Sequence, residues 1–181
     1  ARPYDIDANF QHSNTLVMLG RHEEAQQVIR RLAEIIPRED ATNRSLLIQH
    51  ARKSRDFEFA ATLSRETLTD HPFFGVALVE AHWAFLFIDA VDEAREVAAR
   101  IEASQVGRIA QMSIRLNQFC ADGNREEAVP IAAEMTNHPR SFIVAWYAYR
   151  ALGDDDAAYG RLLELDAPGT PPSRLRTLLL N

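Results

Sequence analysis

The stretch LVMLGRHEEAQQVIRRLAEIIP, residues 16–37, contains the pattern that decides the fold. Gly20 is followed by an acidic pair and Ala25, apolar residues then recur at helical spacing, and Pro37 closes the segment. Glycine permits a sharp backbone turn, alanine permits close approach of two helices, and proline cannot continue a helical hydrogen-bond ladder. The stretch therefore predicts the turn and the second helix of a helical hairpin.

The same pattern returns along the chain at nearly constant steps. It is present as GRHEEA, RDFEFA, DAVDEA, GNREEA and GDDDAA. Each copy ends on an alanine, and these alanines are Ala25, Ala60, Ala94, Ala128 and Ala158. The steps between them are 35, 34, 34 and 30 residues. Because a single hairpin cannot bury its apolar face alone, the repeat predicts an array of stacked hairpins.

The repeat resembles the tetratricopeptide family, whose unit of about 34 residues is a helix-turn-helix with a small residue, alanines and a closing proline at fixed offsets. The resemblance implies an all-α fold, an α-α superhelix. This would be a right-handed solenoid of about five hairpins followed by a C-terminal capping helix. We expect one solenoid over residues 1–181, with repeats at about 6–40, 41–74, 75–108, 109–138 and 139–168 and a cap at 169–181.

Several positions depart from the family pattern. Arg55 and Asp89 stand where the turn glycine belongs, and the third repeat closes with Val106 and Gly107 instead of proline. In the fourth repeat, Pro130 falls inside the second helix. Since proline lacks a donor and its ring clashes with the preceding turn, we expect a kinked or shortened helix and an irregular superhelix there.

The first residues resemble the junction between two repeats. Pro3 lies 34 residues before Pro37, and the segment RPYDIDA has no signal-peptide pattern. We therefore expect the chain to be a piece of a longer protein with at least one further repeat upstream.

Composition excludes several classes of partner. A net charge of -6 and a pI near 5.5 lack the basic surface that direct nucleic-acid binding needs. The most apolar stretch, residues 76–91, contains Glu80, His82 and Asp89, so we expect no membrane span. The single cysteine, Cys120, cannot form an internal disulfide, which favours a reducing cytoplasm.

No motif for catalysis, metal binding or cofactor binding stands out. No two histidines have the one-turn spacing with an intervening glutamate that marks a helical zinc site. Glycines are too scattered for a nucleotide loop, and the run at residues 154–156 is better explained as helix capping than as a calcium loop. We therefore predict a non-enzyme with no metal or cofactor. The alternative is an atypical helical active site with His50 or His82 beside a carboxylate.

The family resemblance also implies where a partner binds. In that family the first helices of successive repeats line a concave groove, and the matching positions here are Phe10, Asn14, Gln49, Arg52, Trp83, Asn117, Tyr147 and Arg150. Amide side chains suit a peptide backbone, aromatic rings offer rigid faces, and arginines pair with carboxylates. Trp83 and Tyr147 are equally well explained as filling the seam between helices.

These features favour a protein- or peptide-binding scaffold. The alternative is the sensory or regulatory domain of a bacterial signalling protein, such as an adenylate or guanylate cyclase or a winged-helix transcription regulator, whose repeats are similar to RPYDIDA and LGRHEEA. A catalytic or DNA-binding domain in the same reading frame would favour regulation. The identity of the partner and the oligomeric state stay open.

Overall fold

The computed structural model describes residues 5–104 and 106–136, together with the single positions Tyr149, Gly153 and Asp156. The described part of the chain forms eight α-helices and no strand, which confirms the all-α prediction. In chain order they are α1 (Ile6–Met18), α2 (His22–Ile35), α3 (Ala41–Lys53), α4 (Phe57–Asp70), α5 (Gly75–Phe87), α6 (Val91–Glu102), α7 (Arg108–Ala121) and α8 (Arg125–Thr136). The predicted fifth repeat, apart from those single positions, and the capping helix lie outside the described residues.

The helices pack as hairpins within two compact units, Ala1–Val106 and Gly107–Asn181. In the first unit α1 packs on α2, α3 on α4, and α5 on α6. The first helix of the middle hairpin, α3, also packs against both α1 and α5. In the second unit α7 packs on α8. The first unit therefore has the stacking that a helical-repeat array requires, with α1, α3 and α5 forming one layer.

The alanines that define the repeat are fully buried wherever the structure describes them. Ala25, Ala60, Ala94 and Ala128 are each 0% exposed, and they lie in α2, α4, α6 and α8. A small side chain at these points lets a second helix lie close to its neighbours. The regular alanine spacing thus marks one equivalent packed position in each hairpin. Ala158 lies outside the described residues.

The apolar core of the first unit runs from α1 to α5. Ile29, Leu47 and Ile48 are completely buried, and Leu32 and Leu63 pack beside them. Burying an aliphatic side chain of this size contributes about 1.5–3 kcal/mol relative to leaving it exposed. Since these side chains come from α2, α3 and α4, the core connects neighbouring hairpins rather than closing each one separately.

Each described turn between paired helices has the same left-handed geometry, with or without glycine. Gly20 and Gly123 have positive φ angles of 73° and 69°, while Arg55 and Asp89 have 65° and 60°. The residue after each of them donates its N–H to a carbonyl five positions earlier, as from Asp56 to Ala51 at 2.9 Å. This is the Schellman arrangement, which satisfies the last carbonyls of the first helix. The turn is therefore retained at the two positions where the sequence departs from glycine.

The helix containing Pro130 does not end at that residue. Pro130 is the sixth residue of α8, which continues to Thr136. Proline has no N–H to donate to the carbonyl four residues earlier, so α8 passes Pro130 with one intrahelical hydrogen bond fewer. The helix therefore does not end at Pro130, and the expected kink stays a prediction.

Candidate partner-binding surface

Six of the eight predicted groove residues lie in the described part of the chain. In the first unit, α1 carries Phe10 and Asn14, α3 carries Gln49 and Arg52, and α5 carries Trp83. In the second unit, α7 carries Asn117. Tyr147 and Arg150 lie outside the described residues, so their predicted role stays a prediction.

A buried carboxylate joins two of these residues. Glu80 of α5 is 7% exposed. Its Oε1 accepts a hydrogen bond of 3.0 Å from Gln49 Nε2, and its Oε2 accepts one of 3.0 Å from Arg52 Nη2. Because a buried carboxylate is costly unless it is paired and hydrogen-bonded, these two donors are what makes Glu80 tolerable at this position. The contacts also fix the side chains of α3 against α5.

Aromatic rings lie beside this ion pair. The guanidinium carbon of Arg52 is 5.9 Å from the Trp83 ring centroid and 6.0 Å from that of Phe87. Phe87 stacks on Phe57 with centroids 4.7 Å apart, and it is 49% exposed. These distances permit cation–π attraction between Arg52 and the rings. We call this group the Arg52 cluster. It consists of Gln49, Arg52, Phe57, Glu80, Trp83 and Phe87.

The two predicted residues of α1 differ in burial. Phe10 is 5% exposed and belongs to the apolar core, with its ring centroid 4.8 Å from that of His50. Burial, aided by the charge of Lys53, lowers the pKa of His50 to about 4. Phe10 therefore contributes to packing between α1 and α3, whereas Asn14 is only partly buried.

Asn117 of α7 has an unsatisfied amide. Its Nδ2 is buried, and no described residue accepts a hydrogen bond from it. One turn further along α7 lies Cys120, a half-buried thiol whose pKa is raised by burial. A buried donor without an acceptor costs free energy, and a group with so little accessible surface is not open to a partner in this conformation.

Comparison with solved structures identifies the fold. Two structures of a Podosopora anserina putative kinesin light chain with nearly identical TPR-like repeats superpose on this chain. The first, a variant with one substitution, has a TM-score of 0.62 and 19% identity and covers 92% of this chain and 95% of its own. The second has a TM-score of 0.60 and 19% identity and covers 92% and 96%. The chain has a TPR-like repeat fold.

At this level of identity the TPR-like likeness concerns the fold alone. No protein-family model and no curated protein matches the sequence. In the first unit, the Arg52 cluster connects the first helices α3 and α5 with Phe57 at the start of α4, and its place in a groove stays a prediction.

Three members of the Arg52 cluster were not predicted from the sequence. Glu80 and Phe87 lie three residues before and four residues after Trp83, so helical spacing alone places them on its face. Phe57 begins α4 and approaches Phe87 only because the second and third TPR-like hairpins stack. No local pattern could have found that contact.

Metal-binding clusters and membrane-spanning helices are absent from the described part of the chain. Within this part of the chain, no three His, Cys, Asp or Glu side chains converge as a metal site would require. His50 faces the Phe10 ring and is influenced by Lys53 rather than by a carboxylate. Among the described helices, none is both long enough and apolar enough to cross a bilayer.

Proposed function

We propose that this TPR-like chain is a scaffold module that binds a protein or peptide on its first helices. The observation that carries the proposal is the Arg52 cluster, in which polar and aromatic groups of α3 and α5 are held together by Glu80. A surface that is already ordered loses little side-chain freedom when a partner binds.

The chemistry of the Arg52 cluster suits a peptide segment. Trp83 and Phe87 offer large, rigid ring faces, and residues of this type dominate binding energy at protein interfaces. The second amide hydrogen of Gln49 is a donor that pairs with a peptide carbonyl, and the Gln49 carbonyl oxygen accepts from Lys53 Nζ at 3.4 Å. Lys53, on the same helix, is exposed and adds a cation at the edge. The arrangement therefore combines an apolar anchor with polar groups for orientation.

The proposal is tested by selecting peptides that bind the full 181-residue chain from a random library and measuring their affinity by fluorescence anisotropy. For a peptide seated on the Arg52 cluster, Trp83→Ala should weaken binding by at least about thirtyfold, the loss of an interfacial hot spot. Ile35→Ala is the control, because Ile35 is a large exposed apolar residue at the end of α2 and lies outside the Arg52 cluster. Thermal melts of both variants check folding.

Two outcomes would contradict the proposal. The first is a set of selected peptides whose affinity is unchanged by Trp83→Ala, since binding would then lie elsewhere. The second is a library that yields no binder although the thermal melts of the wild type and the variant show the same melting temperature, so that both are folded.

The cellular compartment and the parent protein of this scaffold are also part of the proposal. A cytoplasmic, bacterial regulatory domain would present the same surface to an adjoining catalytic or DNA-binding domain. The half-buried free thiol of Cys120 is compatible with a reducing compartment. Sequencing the reading frame around this region tests the regulatory setting, because a cyclase or winged-helix domain encoded in the same frame would support it and an isolated repeat array would oppose it.

A further inference from the structure

A second surface, formed by the second helices, contains a cleft that the scaffold proposal does not use. The cleft has a volume of about 560 Å³ and lies between α4 and α6. Its floor is apolar and consists of Leu68, Phe85 and Val97, all buried. Phe73, in the loop between α4 and α5, lines it and is 66% exposed. The volume is within the range typical of small-molecule sites.

The preceding pair of hairpins provides an internal comparison. Phe73 and Arg100 stand 35 and 34 residues after Arg38 and Glu66, so they occupy equivalent repeat positions. Arg38, in the loop after α2, forms an ion pair of 3.7 Å with Glu66 of α4, and Glu66 also binds Arg44 at 2.5 Å. Between α4 and α6, the same two positions hold an aromatic ring and a cation. The ion pair of the earlier interface is therefore absent at the cleft, and an apolar group stands opposite a guanidinium.

The two arginines that line the cleft differ in how well they are paired. Arg65 donates from Nε and Nη2 to both oxygens of Glu93, at 2.8 and 2.9 Å. Arg100 meets the carboxylate of Glu96 at 4.0 Å, and the Glu96 side chain is 74% exposed. A contact of that length between exposed groups is weak. Arg65 is thus occupied, while Arg100 retains most of its capacity to bind an anion.

The position of Arg100 favours an anionic rather than a cationic ligand. Its side chain is 40% exposed, against 74% for Glu96, so Arg100 is the more buried of the two residues that line the cleft. An arginine fork matches the planar geometry of a carboxylate and binds it in a bidentate manner. A ligand that placed its carboxylate on Arg100 would direct its apolar body over Val97 and against Phe73.

From these observations we propose that the cleft between α4 and α6 is a binding site for a small amphipathic carboxylate, with a phenyl-sized apolar body. Arg100 binds the carboxylate, Phe73 and the floor residues contact the apolar body, and Glu96 competes with the ligand for Arg100. The site is separate from the Arg52 cluster, so an experiment that refutes the carboxylate site leaves the scaffold proposal untouched, and the reverse also holds.

The test uses hydrocinnamate as the probe and the full chain as the receptor, with binding followed by two-dimensional NMR of the arginine Nε–H signals. Hydrocinnamyl alcohol and phenylpropylamine have the same apolar body with a neutral or cationic head. The acid should bind at least about tenfold more tightly than either, which is the value of one charge-assisted hydrogen bond. The amine binding as tightly as the acid would overturn the proposal, and so would absence of acid binding.

Three variants separate the site from general surface binding. Arg100→Gln should weaken hydrocinnamate binding about tenfold, because the charged donor is lost. Glu96→Gln should tighten it about twofold, because a competing carboxylate is removed. Arg38→Gln, at the position equivalent to Phe73, should leave the affinity unchanged. Equal affinities for all three variants, or weaker binding by Glu96→Gln, would refute the assignment of Arg100 and Glu96.

Discussion

Replacing Arg55 with glycine should stabilise the protein, although it removes a side chain. Arg55 has a φ of 65°, in the left-handed region that costs a residue with a Cβ about 1–2 kcal/mol. Glycine avoids that cost but adds about 0.4–1 kcal/mol of chain entropy to the unfolded state. The Arg55 side chain is exposed, so little packing is lost. The difference predicts a gain of about 0.5–1 kcal/mol in the free energy of unfolding.

The assay is urea denaturation followed by circular dichroism, with Arg55→Ala as the matched control. Alanine keeps the positive-φ cost, so it should bring no gain. The reciprocal change, Gly20→Ala, should destabilise by a similar amount, because a Cβ there meets no atom within 4 Å and only the φ of 73° opposes it. Asp89→Gly should gain less, since aspartate tolerates this conformation better than arginine. Stabilisation by Arg55→Ala equal to that by Arg55→Gly would refute the reasoning.

Two further predictions concern buried ionisable groups. The folded pKa of His50, about 4, lies below the unfolded value of 6.5, so its contribution is complete above pH 6.5 and is lost as the pH falls toward 4. Stability profiles from pH 7 to 4 should therefore show wild type losing about 2–3 kcal/mol more than His50→Phe; parallel profiles would contradict this. Glu80→Met should leave Arg52 without its buried partner and cost about 1–3 kcal/mol in urea denaturation, whereas Glu23→Met on an exposed turn should change little. Equal effects would show that the Glu80 ion pair contributes nothing.

The repeat explains why much of the fold was predictable from the sequence. Ala25, Ala60, Ala94 and Ala128 recur because each second helix must approach its neighbours closely, and a repeated requirement leaves a repeated residue. The geometry of the turns was harder to predict from the sequence than the helix packing was. At Arg55 and Asp89 the same backbone bonds close the helix without glycine, since Schellman hydrogen bonds depend on main-chain groups that every residue but proline has.

The candidate site was less predictable, because its contacts cross between hairpins. Glu80 interrupts an apolar stretch and gives no local sign that its partners, Gln49 and Arg52, lie 31 and 28 residues earlier. Phe10 follows the family's groove spacing, yet it is buried against His50. Register places a residue on a helix face, but whether that face is covered depends on the side chains of the neighbouring helix.

The cleft between α4 and α6 shows the same limit. It is lined by Phe73 and Arg100, which stand where the preceding repeat has an ion pair, and the sequence alone does not show that these positions border a cleft.

The claim that the repeated alanines mark the close packing of stacked hairpins is tested most directly on α6, which has a buried and an exposed alanine. Ala94 is 0% exposed, whereas Ala99 of the same helix is exposed. The free energy of unfolding should fall by about 1–3 kcal/mol or more in Ala94→Leu, because the larger side chain overpacks the contact, and should change by less than about 0.5 kcal/mol in Ala99→Leu. Equal stability of the two leucine variants in urea denaturation would contradict the claim.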